Sequence, residues 1–583
     1  MASGPGKMGW RSRRPVLQPQ HPRGPETAGR AGTMSGLARD DLIDIQRRLV
    51  DEVNDEIEGS LGTPPAGLER YRHSYLEILD GPFEEVAIGE VVDGIATAGI
   101  VYFGDYHTLR ESQKAPVRIL RRILRRGRKV ILGTEVFAIP FQAHLDAYLS
   151  GDLPEEDLLK EAEYEKNWGF PWRNHRLLIE FARQEGLEVI ALNSDPEVVK
   201  DHLRARDVIA AMRIIESREE NPDALLAVAF GDLHVVPCHL PAEVERLAGS
   251  RKLPRQNQVV VYQNSESIYW RLAADRREQE VDAVDIGGDQ FCLINSTPLM
   301  KVQSYLNWQL NQEELEESAG VEEEPRISSN VLTDQVMTLV SQICQFLKLP
   351  QEGYDDFTVY TSRDLNLLEK IKSRYRLTSQ EIREFRQQIE NQESFFLTRG
   401  NLIYLGNLSL DHAAEEATHY INTRLAGHVR NPPDRHFEFY YRTLKEMIGF
   451  FGSKVVNHKR FCNHRRHYEA ILSDLHGRQL TGKRARLRQI SRDVLRHLDA
   501  EEHWLEKNGR LPRLPSLVDS EFKVMVGVTH SLGYILGDHA HRAVMDGSIG
   551  REEILSLFRE PFEGPDCPRR TYFTWLERLR NSG

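Results

Sequence analysis

The sequence is poor in cysteine. Five cysteines occur in 583 residues, and they lie far apart, at positions 238, 292, 344, 462 and 567. An odd, widely spaced set does not form a disulfide framework and is typical of a reducing compartment. We therefore expect free thiols and a cytoplasmic protein.

The chain also lacks long apolar runs and an excess of positive charge. No stretch approaches the roughly 20 apolar residues that a membrane-spanning helix needs. A net charge of −12 argues against nucleic acid as a partner. Residues 1–36 contain many Gly, Pro and Arg residues but no apolar segment of a secretion signal, which predicts disorder. One hypothesis is that Met34 is the true start.

What the chain does contain divides it into two main parts. Apolar runs alternate with helical patterns over residues 37–310, which predicts an α/β domain with a mostly parallel sheet flanked by helices. The stretch Ser267–Leu272 is one of its predicted strands. Seven glutamates between positions 313 and 324 predict an acidic linker over 311–330. Long helical patterns over 331–583 predict an α-helical C-terminal domain of unknown function.

Two apolar runs end in the same pattern, Gly-Asp-x-His. The run Ile100–Phe103 is followed by Gly104–His107, and the run Leu226–Phe230 by Gly231–His234. Short, continuously apolar runs are typical of strands that are buried on both faces of a parallel sheet. Ligands of α/β proteins bind at the carboxyl ends of such strands. The two histidines are therefore predicted to share a site.

A carboxylate interrupts a third apolar run. A buried Glu135 needs a partner, and we expect it to face the same crevice as His107 and His234. Imidazole and carboxylate groups are ligands of Zn, Mn and Fe, so these three residues predict a divalent metal site that leaves positions open. In a hydrolase, Asp105 or Asp232 would orient the metal-bound water or take its proton.

Three further residues are candidate ligand contacts. Asn193 ends another apolar run and is therefore expected at the same sheet edge. Gln142 and Trp168 lie in a mostly helical region, and Trp168 belongs to the aromatic segment 167–172. Such a segment either lines a pocket for a flat ligand such as haem or packs in the core.

These motifs resemble the ChaN-like family, which is described as haem-binding uptake proteins of the Tiki/TraB superfamily. The resemblance covers about residues 95–300. It is carried, in order, by Phe103–His107, Gly133–Phe137, Phe141–Tyr148, Trp168–Phe170, Phe181–Arg183, Ala191–Asn193 and Gly231–His234. It implies the α/β fold and a haem or other small-molecule ligand.

The resemblance also implies an alternative activity. Tiki-like members carry two Gly-x-x-His motifs and a Glu, and these are associated with metal-dependent peptidase activity. Erythromycin esterases, which are also similar, use a His as a base. Both point to His107, Glu135 and His234. The sequence departs from the family at Asp105, where Glu is more frequent.

Three functions therefore stay open. The first is a haem- or metal-binding protein, the second a metal-dependent peptidase or esterase that uses the same residues, and the third an interaction protein without chemistry. A homo-oligomer is compatible with each of them.

A second candidate metal site lies in the predicted helical domain. His412, Glu415, Glu416 and His419 share one helical face by their spacing, and the site would use His412, Glu416 and His419. His530 and His541 lie along one stripe of a later apolar helix. Helix bundles hold metals with Glu-x-x-His pairs of this kind. The alternatives are a solvated polar face and hydrogen-bonded core histidines.

Overall fold

The residues described below belong to the larger of the two units into which the chain divides, residues 37–583. The computed structural model describes residues 38–61, 65–194, 203–318, 329–361, 371–372, 379–390, 393–406, 409–429, 432–477, 480–507 and 521–582. The predicted disorder of residues 1–36, the hypothesis on Met34 and residues 319–328 of the predicted linker lie outside these ranges.

An eight-stranded sheet organises the first half of the larger unit. Its strands are β1 (Glu84–Glu85), β2 (Ile100–Asp105), β3 (Val130–Ala138), β4 (Glu188–Asn193), β5 (Leu225–Gly231), β6 (Gln258–Gln263), β7 (Ala283–Asp285) and β8 (Gln290–Leu293). Their order is β1-β7-β8-β6-β2-β5-β3-β4. All neighbours pair in parallel except β1 with β7 and β7 with β8. The predicted α/β class with a mostly parallel sheet is confirmed.

Helices cover both faces of this sheet. They are α1 (Ala38–Leu61), α2 (Ala66–Leu79), α3 (Ile88–Thr97), α4 (Arg110–Arg125), α5 (Gln142–Ser150), α6 (Glu155–Glu161), α7 (Tyr164–Asn167), α8 (Trp172–Glu185), α9 (Leu203–Glu220), α10 (Leu240–Ser250), α11 (Glu266–Ala274) and α12 (Pro298–Ser318). Val101 and Phe103 of β2 enter one core, whereas Ile100 and Tyr102 enter the other. Two cores explain why the strands are apolar on both faces.

The predicted strand Ser267–Leu272 is wrong, because these residues belong to α11. The hydroxyl of Ser265 accepts a hydrogen bond from the backbone N–H of Ile268 and so caps the helix. Ile268, Tyr269 and Leu272 are buried, at a spacing that fits one helical face.

The second half is mainly helical, as predicted. Its helices are α13 (Ser329–Phe346), α14 (Ser379–Glu390), α15 (Leu410–Ala426), α16 (Arg435–Val456), α17 (Arg465–Asp474), α18 (Gly482–Lys507), α19 (Phe522–Met545), α20 (Arg551–Phe558) and α21 (Cys567–Ser582). Three short strands that the sequence did not indicate also form a small sheet: β9 (Thr358–Thr361), β10 (Phe395–Leu397) and β11 (Leu402–Leu405). In it, β11 pairs in parallel with β9 and antiparallel with β10.

The two halves of the larger unit pack on each other through polar contacts as well as apolar ones. The amide of Gln46 donates to the carbonyl of Val455 at 3.2 Å, and the rings of Tyr269 and His458 stack. All five cysteines are free. Within the described ranges, no helix combines the length and apolar character needed to cross a membrane.

Candidate functional site

Strand pairing places the two Gly-Asp-x-His turns side by side. β5 lies between β2 and β3, and Asp105 at the end of β2 pairs with Gly231 at the end of β5. On the other side of β5, Thr134 of β3 pairs with Ala229. Three parallel strands thus bring His107, Glu135 and the second turn to one sheet edge.

Asp105 and His107 form a tight pair at this edge. Nδ1 of His107 lies 2.8 Å from Oδ2 of Asp105, which is buried, whereas 20% of the His107 side chain is exposed. Burial alone would lower the pKa of His107, but the carboxylates of Asp105 and Glu135 outweigh it and raise the pKa. Because Nδ1–H donates to Asp105, Nε2 carries the lone pair of the neutral ring.

Glu135 is buried and fully paired. It forms an ion pair with Arg206, and its Oε2 accepts a 2.7 Å hydrogen bond from the backbone N–H of Gly231. Oε2 also lies 3.9 Å from Nε2 of His107. Burial raises the pKa of Glu135, but the nearby charges of Arg206, His107 and His234 lower it below its usual value. Glu135 is therefore a carboxylate at neutral pH.

The backbone of Gly231 lies close to Nε2 of His107. A Cβ atom built there would lie 3.4 Å from this nitrogen and 3.4 Å from Oε2 of Glu135. Nε2 makes no hydrogen bond to any residue in the described ranges. The site thus offers an imidazole nitrogen that is free to bind a ligand.

His234 belongs to a second Asp–His pair. Its Nδ1 lies 2.5 Å from Oδ1 of Asp207, and the hydroxyl of Tyr71 donates to Oδ2 of the same carboxylate at 2.6 Å. The ligand atoms of His107, Glu135 and His234 do not all lie within 4.8 Å of one another. Among the described residues, one group of three meets that distance, and it lies in the helical half. Nε2 of His107 and Oε2 of Glu135, 3.9 Å apart, are close enough to share a cation.

Aromatic rings form one wall of the site. The centre of the His107 ring lies 4.6 Å from the ring centre of Trp168 and 4.7 Å from that of Phe170. Phe170 in turn stacks on Trp308 of α12. The indole N–H of Trp168 donates to Nε2 of His175 at 3.1 Å. Burial lowers the pKa of His175 to about 4, so this histidine is neutral and holds Trp168 in place.

The other residues predicted for this site, Asp232, Gln142 and Asn193, each have their own set of contacts. Asp232 lies 3.7 Å from Lys301 of α12, and its charge interacts with those of Asp105 and His107. The side-chain amide of Gln142 donates to the carbonyl of Val189 and accepts from the N–H of Ala191, so both of its polar groups bind the backbone of β4. Asn193 ends β4, the strand at the far end of the sheet order.

Sequence reasoning missed His175, Arg206 and Asp207. His175 is buried together with Leu178, Ile179 and Ala182, and Asp207 is buried together with Ala210, Ala211 and Ile214. In both helices the spacing is i, i+3, i+4 and i+7, which defines one apolar stripe. A polar residue on an apolar stripe is the signal that could have found both of them.

Of the residues predicted for the second candidate site, His530 belongs to the metal-ligating group that the structure forms. His530 pairs with Glu446, which was not predicted, and the third member of this group is Glu415 instead of Glu416. His412 and His419 lie near enough to His530 for their charges to interact. His541 is eleven residues further along α19, about 16 Å by helical rise, and is not part of the group.

Comparison with known proteins finds a family resemblance that covers part of the first site. Residues 91–221 match the family model described as haem-binding uptake, Tiki superfamily, ChaN. The chain is similar to that family over this range, and the resemblance seen in the sequence is confirmed there. The matched range includes Asp105, His107 and Glu135 but ends before β5 and the second turn.

One solved structure that matches is described as "Cofacial heme binding to ChaN of Campylobacter jejuni". It is 12% identical, with a TM-score of 0.24, and the match covers 31% of this chain and 88% of that one. A search of curated proteins found no match.

Proposed function

We propose that this protein binds haem at the carboxyl edge of its large sheet, with Nε2 of His107 as a ligand of the iron. The Asp105–His107 pair carries this proposal. A buried carboxylate that accepts a hydrogen bond from Nδ1–H fixes the tautomer and the ring orientation and makes Nε2 more basic, as in many metal sites. One fifth of the His107 side chain is exposed, which leaves its ring open to a ligand.

The surroundings of His107 suit a flat, largely apolar ligand. Trp168 and Phe170 are half-buried and present ring surfaces beside the imidazole. These rings would pack against the macrocycle. The ChaN-like family model, which is described as haem-binding uptake, supports the same ligand. Bound haem would supply an iron centre to be carried or transferred.

Haem titration of the full chain tests the proposal. We expect stoichiometric haemin to give a shifted Soret band, and His107→Ala to remove most of this spectral change. His73→Ala is the matched control, because His73 is an exposed histidine in α2. Equal spectra for wild type and His107→Ala would rule out His107 as the ligand.

A metal-dependent hydrolase is the second candidate, and the second Asp–His pair favours it. His234 with Asp207 could serve as an acid–base group, whereas His107 and Glu135 could share a divalent ion that lowers the pKa of bound water. The test is ester and peptide hydrolysis with added Zn or Mn. Activity that is lost in both His107→Ala and His234→Ala would favour this function.

A third outcome remains for these experiments. If the protein neither binds haem nor hydrolyses any substrate, the ChaN-like domain serves as an interaction module.

A further inference from the structure

A group of metal-ligating side chains lies far along the chain from the sheet edge, between three helices of the second half. It comprises Glu415 of α15, Glu446 of α16 and His530 of α19, whose ligand atoms all lie within 4.8 Å of one another. Nδ1 of His530 is 3.0 Å from Oε2 of Glu446. Three separate helices thus converge on one point, as in metal sites of helix bundles.

Glycines let the helices approach closely at this point. A Cβ atom on Gly449 of α16 would lie 2.7 Å from Nε2 of His419 and 3.0 Å from Cγ of Glu415. On α19, a Cβ atom on Gly533 would lie 2.6 Å from the carbonyl oxygen of Thr443. Both glycines therefore make room for the cluster, and any larger residue would push the helices apart.

A further buried carboxylate, that of Glu416, follows Glu415 in α15. Glu415 is paired with Arg460, but Glu416 makes no ion pair with a described residue. The nearby ammonium of Lys445 is hydrogen-bonded to Asn422. A bound cation would relieve the repulsion among these carboxylates.

The ring of His419 lies next to this cluster, although it is not one of the three groups whose ligand atoms all lie within 4.8 Å of one another. Its ring packs against Gly449, and its charge interacts with Glu446, Glu415 and His530. Its Nδ1 is shielded from solvent and has no hydrogen-bond partner in the described part of the chain. A shielded nitrogen without a partner is costly unless a ligand occupies it.

The oxygens of Glu415 are held in a way that suits coordination. Oε2 accepts hydrogen bonds from Arg460 at 2.7 Å and from the hydroxyl of Tyr534 at 2.6 Å. These partners fix the carboxylate and leave Oε1 available, as outer-shell groups do in metal sites. His530 is about half exposed, with 47% of its side chain accessible, so the site is open on one side.

We propose that Glu415, Glu446 and His530, with His419 beside them, bind one divalent first-row transition metal ion. Two carboxylates and one or two imidazoles form the mixed oxygen and nitrogen set that such ions accept. The site is independent of haem binding at the sheet edge, so either proposal can fail without the other.

Cobalt binding to the full chain tests this site. Protein freed of metal with a chelator is titrated with Co(II), whose visible absorption reports coordination by the protein. We expect one equivalent to bind in wild type, and Glu446→Gln and His530→Ala to weaken binding by about tenfold or more. The matched controls are Glu438→Gln on the same helix as Glu446 and exposed His539→Ala on the same helix as His530.

Two further measurements separate ligand loss from misfolding and from the first site. Cobalt should raise the Tm of wild type and of the controls but not that of Glu446→Gln, whose own Tm shows whether it is folded. His107→Ala should keep the cobalt signal. If wild type binds no cobalt, or if Glu446→Gln and His530→Ala bind it as wild type does, His530 and Glu446 form an ordinary ion pair and the proposal is overturned.

Discussion

Oδ2 of Asp105 lies 2.8 Å from Nδ1 of His107, and this contact decides which ring nitrogen faces the crevice. The carboxylate is buried and burial alone would raise its pKa, but the charge of His107 lowers the pKa below its usual value. Asp105 therefore stays ionised and accepts the Nδ1 proton. Its shorter side chain, which departs from the Glu more frequent in the family, still reaches the imidazole.

Asp105→Asn should weaken haem binding without abolishing it. The amide cannot strengthen the basicity of His107, and outer-shell substitutions of this kind typically reduce metal affinity by about 10–100-fold. Haemin titration gives the dissociation constants. Asp223→Asn, an exposed aspartate, is the control. Unchanged affinity in Asp105→Asn would show that the pair does not tune the ligand.

Gly231→Ala should block the ligand while sparing the fold. The new methyl group would lie 3.4 Å from Nε2 of His107, which is an ordinary contact for the protein but occupies the space that a ligand needs. We expect haem affinity to fall by about tenfold or more, a cost of at least about 1.4 kcal/mol. Stability in urea should change by less than about 1 kcal/mol.

The control for this substitution is Gly89→Ala, where nothing lies within 4 Å of the added Cβ. If Gly231→Ala binds haem as tightly as wild type, the ligand approaches His107 from another side.

Gly533→Ala should destabilise the helical half. Its Cβ would meet the backbone of Thr443 and Met447 at 2.6 and 2.9 Å, and backbone atoms cannot move aside as a flexible side chain can. Overpacking of this kind costs about 1–3 kcal/mol. Urea unfolding measures the change. Gly249→Ala, which meets nothing within 4 Å, should be neutral or slightly stabilising, and equal effects of the two would contradict the argument.

The free energy of unfolding should decrease as the pH is lowered, because His541 is buried in its neutral form. This histidine is 1% exposed, and burial together with the charge of Lys454 lowers its pKa to about 3. The unfolded chain therefore binds a proton near pH 6.5 that the folded chain does not, so stability is lost as pH falls below that value. Between pH 7.5 and 5 this contributes a loss of about 2 kcal/mol.

His541→Leu removes the titrating group and should flatten this pH dependence. The comparison is the urea midpoint at pH 7.5 and at pH 5. Exposed His73→Leu should keep the wild-type slope. A slope that is unchanged in His541→Leu would mean that other buried groups, such as His458, dominate the acid response.

Local patterns were enough to predict the sheet and most of the helices. Strand β2 is apolar on both faces because it lies between two cores, and that pattern is visible in the sequence. The sequence of helix α11 predicts a strand, because a short apolar run has no distinctive period and the cap at Ser265 is a single residue. The strands of the small sheet, three or four residues each, are too short to show a pattern.

The first site could be predicted only in part. His107, Glu135 and Trp168 could be predicted as site residues, because the ends of strands and an aromatic segment are visible as local patterns in the sequence. Asp207 and Arg206 lie on a helix about 70 residues after Glu135 and reach the site only when α9 packs on the sheet, so no local motif marks them.

The sequence by itself determined the α/β class, the two Gly-Asp-x-His turns and their place at the carboxyl edge of the sheet, because strand periodicity and turn chemistry are local properties. Tertiary structure alone decided that Nδ1 of His234 pairs with Asp207, and that Glu415 and Glu446, instead of Glu416, meet His530. Which side chains face each other across helices depends on packing angles and glycine contacts that join distant parts of the chain.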